Sequence, residues 1–302
     1  MTPTVLVLGA TGTTGSRVVR ALRERGVVPR EASRTAAGLT RFDWRDETTW
    51  EPALQGVQRL YLVAPTDGSD PAPTVARFLA ASIDAGLRRV VLLSSSALEP
   101  APAGPGALPA VVRAAVPEWA VLRPSWFMSN MLGETPLAAG LRAGEVVTAT
   151  GAGRVAFVDP DDIAAVAVQA LLAEPSLNTE LVLTGPATHS YNELCELVAD
   201  SRGHPIRHHS VTVQEYADHL VRAGLPAAYA PLLAGLDEPI SRGSEDRITD
   251  TVSQVTGRPA GTLNAFVTRH ATELGPMSSE RPRAARSRLR ATGEPSSSEV
   301  DN

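Results

Sequence analysis

Lysine is absent from all 302 residues, so the 28 basic residues are all arginines. Chemistry that needs an ammonium beside a tyrosine, to lower the phenol's pKa, is therefore outside this chain's reach. Cysteine occurs once, at Cys195, within the helical spacing of Leu194, Leu197 and Val198. No disulfide can form within the chain, and core packing is its expected role. No apolar stretch approaches the roughly 20 residues that cross a bilayer, and Met1-Thr2-Pro3 leads into a strand pattern instead of a signal peptide. A cytoplasmic protein with no membrane partner is expected. A basic surface is missing too: the formal net charge is −5, whereas a nucleic-acid partner calls for clustered positive charge on the folded part. These absences leave small-molecule chemistry.

The first motif appears at once. The apolar run from Val5 to Leu8 passes into Gly9-Ala10-Thr11-Gly12-Thr13-Thr14-Gly15, and then into Val18, Val19 and Leu22 at helical spacing. That is strand, glycine turn and helix. A side chain at Gly12 would keep a pyrophosphate from the backbone N–H groups at the helix start. Gly9, Thr11, Gly12, Thr13 and Thr14 are the candidate phosphate-binding residues.

Apolar runs then alternate with helical segments: Val27 to Ala32, Leu60 to Val63, Val90 to Leu93 and Trp119 to Leu122. The pattern predicts an α/β fold, a doubly wound parallel sheet whose ligands lie at the carboxyl ends of its strands. Val146 to Thr148 and Val155 to Val158 add strand structure before a helix from about Asp161 to Leu172, with Asp159, Asp161 and Asp162 suited to its N-terminus. Leu181 to Leu183 reads as a late strand. Two capping boxes follow, Ser190 with Glu193 and Thr212 with Glu215, and prolines and glycines then break the chain into short helices. The division expected is a dinucleotide-binding domain over 1–125 and 146–175, a small mainly helical substrate lobe over 126–145 and 176–275, and a disordered Arg- and Ser-rich tail over 276–302.

After the second strand stands Ser33-Arg34, where an NAD-binding chain usually carries an acid for the ribose 2′-OH. A guanidinium pairs with a 2′-phosphate instead, so NADPH/NADP+ is the expected coenzyme, with Ser33 as a further donor. Asp43 and Trp44 border the adenine, and Val63, Ala64, Pro65 and Ser94 lie at the strand ends where the nicotinamide half belongs.

These stretches, together with Leu122-Arg123-Pro124, Phe127-Met128, Asn130 and Phe157-Val158-Asp159, resemble the NmrA-like atypical short-chain dehydrogenase/reductases over about Val5 to Ala271. The resemblance implies a Rossmann-type domain, NADP(H) and a pocket shaped by the C-terminal lobe. That family holds reductases of ketones, quinones and imines, and also coenzyme-binding sensors that catalyse nothing. Fold transfers across it and activity does not.

Ketone reduction needs a proton for the developing alkoxide, and here no tyrosine–lysine pair supplies one. Tyr61 lies in a sheet strand, while Tyr191, Tyr216 and Tyr229 belong to the lobe. Three classes remain: a ketoreductase whose substrate or water supplies the proton, a quinone or imine reductase, and a sensor. Trp126, Phe127, Met128 and Asn130 are the candidate substrate residues, forming either an apolar wall for an aromatic ligand or ordinary core. With the high arginine, alanine and proline usage, these features resemble the ketoreductases that tailor angucyclinone-type aromatic polyketides in antibiotic biosynthesis. Ser95 is the candidate catalytic residue, in an orienting role beside the nicotinamide or else capping the strand end. The adjacent His208 and His209 point to opposite faces of an extended segment and are not expected to hold a metal. A monomer or homodimer is expected.

Overall fold

The structure, a computed structural model, describes residues 3–65 and 70–274. The tail expected over 276–302 lies outside the described residues. Among them run eleven strands: β1 Val5–Val7, β2 Arg30–Ser33, β3 Thr40–Arg41, β4 Arg59–Val63, β5 Arg89–Leu93, β6 Glu118–Pro124, β7 Glu145–Thr148, β8 Arg154–Val155, β9 Thr179–Leu183, β10 His189–Ser190 and β11 Arg207–Ser210. Seven of them form one parallel sheet in the order β3-β2-β1-β4-β5-β6-β9. This is the doubly wound, Rossmann-type α/β sheet.

The strands are short apolar runs because both faces of the sheet are covered. On one face, Val5, Val7, Tyr61, Val91 and Leu122 pack against helices Gly15–Glu24 and Pro160–Leu172. On the other, Leu6, Leu60, Leu62, Val90 and Val121 pack against Ala72–Asp84 and Leu108–Ala115. Helix Gly15–Glu24 buries Val18, Val19 and Leu22, the stripe read from spacing. Asp159 caps the helix it precedes by accepting the Asp161 N–H at 2.9 Å. Both capping boxes form, Ser190 with Glu193 and Thr212 with Glu215.

Three expectations are corrected. The second strand begins at Arg30 and not at Val27; Pro29 has no N–H to give a ladder, and Val28 is 82% exposed. The segments near 146 and 155 form strands as expected, but outside the main sheet of the dinucleotide-binding part to which the sequence assigns them. Instead, β7 pairs with β11 and β8 with β10, and Val146, Val155 and Phe157 share a core with Tyr191, Leu194 and Phe266. That stretch therefore belongs with the lobe. Conversely β9, assigned by sequence to the lobe, is the seventh strand of the sheet and buries Leu181 and Leu183 in its core.

At the amino edge of β5, Arg89 is fully buried. It donates to the Leu171 and Ala173 carbonyls at 3.0 and 2.6 Å and pairs with Glu118 at 2.6 Å. It thus satisfies the end of helix Pro160–Leu172, whose last carbonyls have no intrahelical partner. Arg89→Met frees Glu118 to meet water but takes the donor from the Ala173 carbonyl, while that of Leu171 keeps a bond from Arg59 at 2.6 Å. We expect a loss of about 2 kcal/mol in denaturant unfolding with coenzyme preference unchanged, since the residue lies on the edge opposite the glycine turn.

Candidate active site

The turn after β1 is built from backbone contacts. Gly9 has φ +64°, a left-handed conformation, and its carbonyl accepts the Gly12 N–H at 2.8 Å. A Cβ on Gly12 would stand 3.2 Å from that same carbonyl oxygen, and one on Gly15 only 2.1 Å from it. Gly15 is thus the glycine that lets the helix seat on the turn, a role the sequence reading left unassigned. Thr14, at the helix start, makes no side-chain cap, so the first N–H groups of the helix have no side-chain acceptor. Thr11, Gly12 and Thr13 are exposed at the mouth of the turn, whereas Thr14 is buried.

The turn opens into a cavity of about 620 Å³ at the carboxyl ends of β1, β2 and β4. It brings together ten of the candidate residues: Gly9, Thr11, Gly12, Ser33, Arg34, Asp43, Trp44, Val63, Ala64 and Pro65. Arg34 is exposed at its rim. The acid on the same strand, Glu31, is ion-paired with Arg23 and so is occupied away from a ribose. Trp44 is fixed by its indole N–H to the Val63 carbonyl at 3.2 Å and by edge-to-face contacts with Phe42 at 5.0 Å and Phe78 at 5.1 Å. Asp43 accepts the Arg45 N–H at 3.0 Å. These residues fit a phosphorylated dinucleotide: a Cβ at Gly12 or Gly15 would crowd the turn's own backbone, and the rim carries a cation where an NAD site carries an acid.

The remaining candidates lie elsewhere. Ser94 faces a separate cavity of about 60 Å³ beside Arg123 and Glu180, on the other side of its strand end. Ser95 accepts the Ala97 N–H at 3.2 Å, the strand-capping arrangement, while its carbonyl accepts from Arg123 at 3.4 Å. The Thr13 side chain is exposed, and its carbonyl takes a bond from Arg17 at 2.7 Å. Trp126 to Met128 are stitched to Val158 by paired backbone bonds of 2.9 Å, which extends the β6 edge. Trp126, Phe127 and Asn130 are half-buried there. Met128 is 1% exposed and packs in the lobe core with Met131, so it backs the apolar wall and does not form its surface.

Tyr61 is wholly buried in β4 and Tyr191 at its helix start, and burial pushes both phenols well above the usual tyrosine range. Tyr216 is raised in the same way. His208 is satisfied by the Thr148 hydroxyl at 2.8 Å and the Asn192 side chain at 3.0 Å. Among the described residues no cluster of three or more His, Cys, Asp or Glu is arranged to hold a metal.

Two buried acids had no signal in the sequence. Glu245, from the lobe, bonds the hydroxyls of Ser96 and Ser125 at the ends of β5 and β6. Asp237 takes the Ala149 N–H at 2.8 Å, and its burial pushes its pKa up from 3.8 to about 6. The folded state therefore holds this proton more tightly than the unfolded chain. Stability from Asp237 is complete below about pH 4 and is lost as pH rises through about 6. Asp237→Asn, which keeps an acceptor for Ala149, should thus gain about 2 kcal/mol at pH 7.5 relative to its effect at pH 4, as read by urea unfolding at both values.

No family model matches the chain. It is 40% identical over 272 residues to YesF of Bacillus subtilis (strain 168), an uncharacterised oxidoreductase, covering 88% of this chain and 95% of the relative. It is 31% identical over 293 residues to the NAD(P)H azoreductase of Xenophilus azovorans, covering 90% and 99%. The fold is similar to that of Citrobacter sp. triphenylmethane reductase complexed with NADP(H), with TM-score 0.70, 20% identity and coverage of 88% and 99%.

Proposed function

The chain belongs to the NAD(P)-dependent oxidoreductases of the NmrA-like short-chain dehydrogenase/reductase fold, and from that premise we propose that it uses NADPH to reduce an extended, electron-poor aromatic acceptor. The observation that carries the reading is the combination of Arg34 with the glycine turn on one cavity, in a chain whose lack of lysine leaves no tyrosine–lysine pair. Bound there, the coenzyme supplies a hydride.

The protein's residues bind and orient. The glycine turn would take the pyrophosphate on its N–H groups, Arg34 would pair with the 2′-phosphate, and Trp44 would wall the adenine side. Trp126 and Phe127 offer a half-buried aromatic face at the end of β6. A flat conjugated ligand loses little there because few polar groups are desolvated. With no positioned acid, acceptors that gain no proton at the moment of transfer, such as a cationic dye or an iminium, suit this edge best, and quinones are next. The azo and triphenylmethane substrates named for the relative and the fold neighbour are of this conjugated kind. A polycyclic aromatic ketone of angucyclinone type falls in the same class when its own phenol is hydrogen-bonded to the carbonyl and carries the proton. Action in the cytoplasm on a diffusible aromatic substrate completes the proposal.

The test is a panel of quinones, cationic dyes and aromatic ketones, with NADPH consumption followed at the nicotinamide absorbance band. In the same assay Ser95→Ala should keep turnover within about threefold, because that hydroxyl's bond goes to its own turn and its loss removes no proton donor. Coenzyme binding without turnover of any acceptor would point to a sensor and overturn the proposal.

A further inference from the structure

Glu245 is a buried carboxylate for which coenzyme binding and hydride transfer as described above give no task. It is 2% exposed, and its Oε2 accepts the Ser96 hydroxyl at 2.8 Å and the Ser125 hydroxyl at 3.1 Å. Oε1 stands 3.7 Å from the Arg247 guanidinium, which also donates to the Ser96 carbonyl at 3.3 Å. Taking a carboxylate out of water is costly, and two hydroxyls with one cation at that distance offset only part of it. An ordinary apolar contact would hold this segment at lower cost.

Where the two hydroxyls stand gives the acid its meaning. Ser96 lies three residues beyond β5 and Ser125 directly beyond β6, and the ladder continues through them: Ser96 N–H donates to the Pro124 carbonyl at 3.0 Å, and Ser125 N–H to that of Leu183 at 2.9 Å. Thr249 adds a further anchor, its hydroxyl donating to the Val182 carbonyl at 2.7 Å and its N–H to the Thr184 hydroxyl at 2.9 Å. Residues 245–249 thus lie along the carboxyl edges of β5, β6 and β9, with Glu245 joining the ends of two neighbouring strands. A dinucleotide held by Arg34 after β2 and by the turn after β1 would run along the carboxyl edge of the sheet toward β4 and β5. Ser95 lies there, between Ser94 and the anchored Ser96.

We propose that Glu245 is a positioning residue: through Ser96 and Ser125 it fixes the β5–β6 edge against which the nicotinamide ring is held for hydride transfer. The inference rests on the coenzyme reading above. Glu245 is not a proton donor in it, because both hydroxyls donate to Glu245 and are themselves almost wholly buried. Small displacements of a reacting ring are costly to rate and nearly invisible to overall affinity when the other end of the molecule carries the binding.

The test uses the full chain and two ligands, NADPH and 2′-phospho-ADP-ribose, which lacks the nicotinamide. Glu245→Gln removes the charge while leaving one acceptor oxygen and an amide that a serine oxygen can accept. The expected result is that both dissociation constants stay within about threefold of wild type while the rise in nicotinamide fluorescence on binding falls by about half or more. Hydride transfer to a cationic triphenylmethane dye should slow by about tenfold with KM for NADPH little changed. Should that variant fail to fold, Ser96→Ala removes the 2.8 Å donor alone and should shift fluorescence and rate in the same direction, by less. Wild-type fluorescence and rate in both variants would overturn the inference. So would a joint fall of fluorescence, 2′-phospho-ADP-ribose affinity and melting temperature, which marks a merely structural contact. A wild-type protein that binds no NADPH would instead overturn the coenzyme reading on which the inference stands.

Discussion

Arg34→Glu should invert the coenzyme preference, weakening NADPH by about a hundredfold or more while leaving NADH within a few-fold of its wild-type affinity. A guanidinium pairing with a 2′-phosphate through charge-assisted bonds contributes about 2 to 3 kcal/mol, and reversing the charge adds repulsion to the loss. NADH has no phosphate at this position, and a carboxylate there can accept bonds from its ribose hydroxyls. The substitution is favourable for a clean result because Arg34 is exposed at the cavity rim, so folding does not depend on it. The competing acid, Glu31, stays tied to Arg23 in the variant as in the parent. Calorimetric titration of both coenzymes into both proteins gives the four affinities, and equal losses for NADPH and NADH would show that Arg34 does not meet the phosphate.

The second large effect is expected at Gly15. Its missing side chain is where the first turn of helix Gly15–Glu24 lies on the glycine loop; a methyl group would sit 2.1 Å from the Gly9 carbonyl oxygen and 2.7 Å from its carbon. Both are backbone atoms and cannot rotate aside, so Gly15→Ala must push the helix off the turn. We expect about 3 kcal/mol or more of destabilisation, or about 6 to 12 °C in melting temperature for a domain of this size. Coenzyme binding should vanish even at temperatures where the fold survives, since the N–H groups that receive the pyrophosphate move with the helix. Gly26→Ala provides the comparison. Its φ of +73° is strained for alanine, but nothing lies within 4 Å of the new methyl group. The cost there should be about 1 kcal/mol with binding intact. A Gly15→Ala protein as stable as Gly26→Ala would contradict the close approach.

The parts of this molecule legible in its sequence are those set by local spacing. The apolar run, the glycines and the Val18, Val19, Leu22 stripe lie within 18 residues of one another, so turn and helix could be read together. The two capping boxes were legible for the same reason, each being a three-residue relation between a hydroxyl and a carboxylate. Arg34 could be read because its place follows from the strand before it. Where pairing decides, the pattern misleads. The stretches near 146 and 155 look like sheet strands, but their partners β11 and β10 come from the lobe, and nothing local in four or two residues specifies a partner. Met128 illustrates a second ambiguity: an apolar residue beyond a strand end reads alike whether it faces a ligand or a core, and here 1% exposure assigns it to the core. Glu245 was out of reach altogether, since it meets Ser96 across 149 positions and both are common residue types in unremarkable surroundings.

The most direct measurement is the pH profile of NADPH oxidation with a permanently cationic triphenylmethane dye, followed at both the dye and the nicotinamide bands. Hydride transfer to a carbocation takes up no proton, and the chain has no tyrosine–lysine pair to titrate. One NADPH should be consumed per dye decolourised, at a rate that stays level between about pH 6.5 and 9. An aliphatic ketone, lacking an internal proton source, should not be reduced. Rapid reduction of that ketone, with a rate falling across this range as a protein acid ionises and no bleaching of the dye, would contradict acid-free transfer from NADPH.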